Sequence, residues 1–162
     1  MNLTIFREKT ATDSRFVPIK SGNRCAASVG TNRGRQLHLT LDPNQCDDQA
    51  IYHEVFHVLG MLHEHQRPDR DKHVTVHFKN IPFSLDPQFR VLNKVKTLDL
   101  PYDVKSIMHY KTTQGSPWNE TTITLNVSMY TLKNTVSSGT VWHDFKRKYD
   151  LVIYRGGGTG LF

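Results

Sequence analysis

What the sequence lacks narrows the field first. Nowhere in its 162 residues is there a run of about 18 apolar residues, so no segment is a candidate membrane-spanning helix. Cysteine is scarce. Cys25 and Cys46 lie too far apart for a CxxC redox pair and are too few for a four-cysteine zinc site. A bond between them would close a loop worth about 3 kcal/mol in the chain-entropy picture, but two unrelated buried thiols fit the spacing equally well. Apolar residues are few as well, at 37%, which points to a loop-rich fold or a partly missing core. The net charge of +6 is not gathered into a nucleic-acid footprint: Lys and Arg run from Arg7 to Arg155, and the densest group, Lys146-Arg147-Lys148, reads as the solvated face of a helix. No internal repeat is present. The opening "MNLTIFREKT" carries a charge at Arg7 and does not have the form of a signal peptide, which suits either a cytosolic chain or the mature part of a secreted one. Sequons at Asn2, Asn119 and Asn126 lean slightly toward secretion, since chance supplies about one in a chain of this length.

The length fits one domain over 1–162, able to bury roughly 70% of the surface of its unfolded chain. The first fifty residues read as extended structure. "LTIF" (3–6) and "RFVPI" (15–19) are short and rich in β-branched and aromatic residues, and "QLHLTL" (36–41) alternates Leu37, Leu39 and Leu41 with polar neighbours, leaving His38 on the solvent side. "SGN" and "TNRGR" punctuate them as turns. The pattern then changes to a helix from about Asp48 to Leu59, entered through Asp47 and Asp48 and carrying Ile51, Val55, Val58, Leu59 and Leu62 on one face. Beyond residue 71 the expectations are a short strand in "HVTVHF" (73–78), one or two helical turns in "QFRVLNKVK" (88–96) and a final helix near 139–150. "RGGGTGLF" lacks the strand-to-helix setting of a phosphate loop and reads as a flexible tail over 156–162.

Chemistry concentrates in "HEVFHVLGMLHEHQRPDRD" (53–71). Residues four apart share a helix face, so His53 and His57 can point both imidazoles at one ion. Glu54 is turned away by about 100° and is better placed to hold a water than to ligate. That is the HExxH arrangement of two zinc ligands and a general base. Gly60 falls where the helix must end for the chain to turn, and His63 follows as a third ligand. Three neutral imidazoles make an open, catalytic site rather than a closed structural one. A histidine-rich helix without function is the rival explanation. At this chain's residue frequencies, however, the five fixed positions coincide by chance in fewer than about one chain in ten thousand.

The full pattern HExxHxxGxxH, continued by Glu64, His65, Arg67, Asp69, Arg70 and Asp71, resembles the astacin family of zinc endopeptidases among the metzincins. A second block, "YDVKSIMHY" (102–110), is similar to the family's Met-turn. The resemblance implies Met108 as an apolar floor beneath the metal and Tyr110 as a hydroxyl near it, able to ligate the ion at rest and swing to the scissile carbonyl oxygen. It also implies a Cys25–Cys46 disulfide and a secreted protein. The likeness is strong over 46–110, moderate over 1–45 and poor beyond 111. The chain departs from the family in lacking the opening strand, the first helix and the other disulfide. Glu64 is thereby expected to have lost its partner, a buried mature N-terminus. Ala26 and Ser28 stand where the family has bulky aromatics on the edge strand that grips substrate.

The expected fold is therefore mixed α/β: a small twisted sheet and the zinc helix above a cleft, with an irregular half carrying the Met-turn below. The expected activity is hydrolysis of protein or peptide substrates with one zinc held by His53, His57 and His63, Glu54 as general base and Tyr110 assisting. Two alternatives stand beside it. One is a catalytically impaired extracellular zinc-binding module; the other is a two-histidine site with a distant carboxylate ligand.

Overall fold

The computed structural model describes residues 7–14, 16–30 and 37–126. The expected strand at 3–6, the turn "TNRGR", the helix near 139–150 and the tail at 156–162 lie outside the described residues. The chain divides into two compact units, one of residues Met1–Ser14 with Val136–Phe162 and one of Arg15–Thr135. Within the first, the described segment is a turn in which the Arg7 guanidinium meets the Asp13 carboxylate at 2.5 and 2.7 Å. That contact, with hydrogen bonds from Thr10, holds the Asp13 carboxyl below its ordinary range.

The second unit carries the site. Strand β1 (Ile19–Ser21) runs parallel to β3 (Leu39–Leu41), and β2 (Ala26–Ala27) lies antiparallel along the other side of β3, giving the order β1-β3-β2. The first strand begins at Ile19 rather than covering "RFVPI". Pro18 has no N–H to give to a ladder, and only its carbonyl takes part, accepting from Leu39 N at 3.0 Å. Along the third strand Leu39 is buried, Leu37 and Leu41 half-buried and His38 exposed, as the alternation requires. A disulfide joins Cys25, just before β2, to Cys46, just before the helix, with the Cα atoms 5.8 Å apart.

Helix α1 (Asp48–Val58) starts on Asp47, whose carboxylate accepts from Ala50 N at 2.8 Å, with Asp48 facing the positive end of the helix dipole. It stops in a Schellman turn: Gly60 N bonds His57 O at 2.8 Å and Met61 N bonds Phe56 O at 2.9 Å, while Gly60 takes φ +99°. Gly30 closes over the same end. Its N–H gives a second bond to His57 O at 2.8 Å, and a Cβ on it would come to 3.2 Å from the Gly60 Cα. Val58 on the expected apolar face is buried, with Ile51, Val55 and Leu59 half-buried. The deepest burial extends to Glu54, Phe56 and His57 as well.

Past the helix the chain is irregular. Three-residue 3-10 turns occupy Glu64–Gln66, Arg70–Lys72 and Phe78–Asn80, and a longer one runs Phe83–Phe89. Strand β4 (Val74–Val76), within the expected 73–78, pairs antiparallel with β5 (Ile123–Leu125), a strand the sequence pattern did not reveal. Val74, Ile81, Phe89, Tyr102 and Ile123 form the core of this half. The helical turns expected at 88–96 do not form: the 3-10 turn ends at Phe89. The carbonyls of 88, 89 and 90 are taken by the side chains of His65, Arg70 and Gln66, so they are not free to accept helical N–H groups.

Candidate metal centre

The turn at Gly60 folds His63 back against α1. Its Nε2 lies 3.2 Å from His53 Nε2 and 3.1 Å from His57 Nε2. Nitrogens arranged tetrahedrally at a Zn–N distance of about 2.0–2.1 Å stand about 3.3 Å apart, so the spacing fits zinc. The other ring nitrogens settle the tautomers. His53 Nδ1 donates to Ile107 O and His57 Nδ1 to Met61 O, each at 2.8 Å. A carbonyl can only accept, so both Nδ1 atoms carry hydrogen and both Nε2 atoms present lone pairs to the shared point. Burial favours the same neutral state: it lowers the His57 pKa, and it brings His63 to about 3 with help from His57, His65 and His53. These three residues are the group among the described residues whose ligand atoms converge closely enough to hold an ion. His63 fills the third position, the one for which the two-histidine alternative needs a distant carboxylate. The ion this three-imidazole set takes is zinc.

Glu54 is buried on the helix between the first two histidines. Desolvation raises its pKa, against the opposing pull of His53 and the Ala27 backbone N–H. Strand β2 thus touches the carboxylate through its backbone, a contact that cannot be read from an Ala-Ala sequence.

The Met-turn block (102–110) is fastened to the histidines. Ile107 O receives the His53 ring, and Met108 O accepts from Glu64 N at 2.9 Å, directly beside the third histidine. Met108 is completely buried, at 0% exposure. In place of the N-terminus that the family resemblance assigns to it, Glu64 has other partners. Its Oε1 accepts from Arg67 Nη1 and from Asp103 N, both at 2.9 Å. Arg67 lies within reach because the 3-10 turn of 64–66 brings residues i and i+3 together. Burial still raises the Glu64 pKa, opposed by Asp103 N–H and Arg67. Arg67 also binds Asp69 and the carbonyls of Leu100 and Pro101. The charged tail of the motif is thus a bracket between the zinc ligands and the Met-turn.

Tyr110 lies against the site, its ring 4.6 Å from that of His63 and stacked on His65 at 4.1 Å. Its hydroxyl donates to Gln88 Oε1 at 2.8 Å. Burial, and after it the charge of Glu54, raises the Tyr110 pKa. His65 is fully buried. Its Nε2–H bonds Gln88 O at 2.9 Å, and its Nδ1 has no hydrogen-bond partner among the described residues. Neither Gln88 nor Ala27 carries a signal in the sequence. Both act through contacts across many residues of chain.

The sequence profile of the astacin peptidase family matches residues 4–143, past the point at 111 where recognisable motifs end. Among curated proteins, the chain is 40% identical over 96 residues to zinc metalloproteinase nas-5 of Caenorhabditis elegans, covering 56% of this chain and 27% of that protein. It is 32% identical over 133 residues to meprin A subunit beta of Rattus norvegicus, covering 76% of this chain and 19% of that protein. Among solved structures it is similar to high choriolytic enzyme 1, a hatching enzyme zinc-protease from Oryzias latipes, with a TM-score of 0.72 and 25% identity over 90% of this chain and 74% of that one. The chain therefore spans about a quarter of the length of the first curated relatives it matches, at 27% and 25%. With the profile extending over most of the sequence and the convergent histidines lying inside it, the chain belongs to the astacin family of peptidases.

Proposed function

We propose that the chain is the catalytic unit of a zinc-dependent endopeptidase that cleaves proteins or peptides. The observation carrying this reading is the buried Glu54 carboxyl, one residue along α1 from a metal ligand and raised toward the range useful for proton exchange. His53, His57 and His63 would hold the ion, and zinc supplies a water acidic near pH 7 and polarisation of the scissile carbonyl. Glu54 accepts the proton of the attacking water and delivers it to the leaving amine. The Tyr110 hydroxyl gives a hydrogen bond to the oxygen that becomes negative as the carbonyl is attacked. Met108 and the Glu64–Arg67 bracket keep the ligands in place. Residues 1–162 serve as one peptidase domain, and the disulfide suits an oxidising, extracellular setting. The names of the similar proteins, metalloproteinase and metalloendopeptidase among them, describe the same chemistry.

The test is Glu54→Gln, which keeps the shape of the side chain and removes the base. Zinc content should stay at one per chain while kcat/KM on an unfolded protein substrate falls by a factor of about 100 or more. An undiminished rate overturns the assignment. A zinc-loaded wild-type chain that cleaves nothing, with or without chelator, would instead indicate the non-catalytic module.

A further inference from the structure

Of the three sequons, Asn2 lies outside the described residues, and the other two sit in opposite surroundings. Asn126 is committed to the fold. Its Nδ2 donates to Asp71 O at 3.1 Å, its Oδ1 accepts from Thr75 Oγ1 at 2.8 Å, and its backbone N–H donates to His73 O at 2.9 Å. This half-buried amide ties the end of β5 to β4 and to the turn before it. Asn119 is the reverse case. It is exposed, takes φ +56° in the loop between the Met-turn block and β5, and makes no side-chain hydrogen bond among the described residues. The backbone around it is fixed all the same. Ser116 Oγ accepts from Trp118 N at 3.3 Å and Glu120 N at 3.2 Å, and Asn80 Nδ2 donates to Thr121 O at 2.7 Å. Left-handed backbone favours asparagine over most side chains, and that alone would account for Asn119. It does not account for Thr121. The neighbouring Thr122 is buried, with its hydroxyl 3.2 Å from Thr112 O and 2.8 Å from Gln114 O. Thr121 is exposed, and its hydroxyl bonds nothing among the described residues. Just before the asparagine stands Trp118, an indole left 67% exposed.

We propose that Asn119 is a modification site, carrying an N-linked oligosaccharide whose first sugar covers one face of the Trp118 indole, while Asn126 stays bare. The proposal rests on the extracellular setting given to the chain above. The donor is an oligosaccharide carried on a polyprenyl diphosphate, handed over by the transferase of the secretory lumen. A bond forms between Asn119 Nδ2 and the sugar's anomeric carbon, and the bond from that carbon to the diphosphate oxygen breaks. The lipid diphosphate leaves, and one Nδ2 proton passes to a base of the transferase. Transfer takes place on the emerging chain, so the fold decides which product it can hold. A sugar on Asn119 projects into solvent from an anchored turn and displaces no protein contact among the described residues. A sugar on Asn126 crowds the amide that bridges Asp71 and Thr75, and chains bearing it fold poorly and drop out of the secreted product. Laid on the indole, the C–H face of the sugar ring takes aromatic surface out of water.

The full chain is delivered to the secretory lumen of a eukaryotic cell behind a cleavable leader. The secreted product, with its Cys25–Cys46 bond formed, is treated in heavy-oxygen water with the glycosidase that turns a glycosylated asparagine into aspartate. Peptide mapping should find the label at position 119 and unmodified asparagine at 126. Thr121→Val removes the hydroxyl of the sequon without touching Asn119 and should abolish the modification, whereas Thr121→Ser should keep it. Asn119→Gly, at ease at φ +56°, serves if the valine variant is not secreted. Oxidative footprinting, read residue by residue, should find Trp118 about two-fold more reactive in the bare variant, because the sugar covers one of the two faces of the ring. Thr121→Ser should match wild type, and thermal melts check that each variant is folded. A secreted wild-type chain bare at Asn119 overturns the proposal, as does equal occupancy at Asn126. Trp118 oxidation that is the same with and without the oligosaccharide overturns the covering of the indole. A glycosylated product that cleaves no peptide defeats the endopeptidase reading and leaves the modification site standing; an active peptidase bare at Asn119 does the opposite.

Discussion

Replacing Arg67 by Met tests the bracket that joins the zinc ligands to the Met-turn. The substitution keeps most of the side-chain length and removes the guanidinium. Arg67 is 8% exposed, and its contacts are Glu64 at 2.9 Å, Asp69 at 2.9 and 3.0 Å, Leu100 O at 2.9 Å and Pro101 O at 3.3 Å. Removing one partner of a buried pair costs about 3–5 kcal/mol, mostly the penalty of the charge left behind. Here that charge is Glu64, which would keep the Asp103 N–H as its remaining support. With a urea slope of about 1.5 kcal/mol/M, the unfolding midpoint should drop by about 2–3 M. A domain holding about 5–15 kcal/mol in total is thereby brought close to the edge. The pH dependence has a definite sign. Burial already raises the Glu64 pKa, and losing Arg67 raises it further. The folded variant then takes up a proton that the unfolded chain does not, so the deficit is smaller in acid and grows as pH rises through the folded value. Zinc affinity should fall as well, because Glu64 N holds Met108 O next to His63. A midpoint shift below about 0.5 M, the scale of an exposed ion pair, would refute this account of the bracket.

Acidification should weaken the metal-free protein from pH 6.5 downward. Burial lowers the pKa of His63 to about 3 and of His65 to about 4, so the unfolded chain binds protons that the folded one refuses. Urea melts at pH 7, 5.5 and 4.5 check this, and equal midpoints would contradict it. Gly60→Ala places a side chain at φ +99°, which should cost about 1–3 kcal/mol and loosen zinc binding by moving His63; calorimetric zinc titration against wild type gives the answer. Cys25→Ser with Cys46→Ser should lower stability by about 2–5 kcal/mol while zinc still binds, because the bond lies outside the ligand set. A melt unaffected by the double change would show that the loop closure contributes nothing.

The metal centre was legible because most of it is local. His53 and His57 are placed by helical period, and Gly60 then turns the chain so that His63 arrives after only three more residues. The helix bounds were equally plain, since Asp47 and Gly60 are chemical stop signs. The lower half was much less so. "QFRVLNKVK" has helical residues but spends its carbonyls on side chains from 65 to 70, a competition invisible within the segment itself. The strand at 123–125 is short, and its partner lies about fifty residues earlier, at 74–76.

The sequence by itself determined the family, the ion and the three histidines whose ligand atoms converge, because ligand type and short-range spacing are properties of neighbouring residues. It also placed Glu54 on the helix. Tertiary structure alone decided what surrounds them: Arg67 and Asp103 as the partners of Glu64, the Ala27 N–H beside Glu54, and Gln88 as the acceptor for Tyr110. Most of these contacts cross from twenty to forty residues of chain. They form only when burial makes an unpaired polar group costly, and no local pattern records which distant group will meet that need.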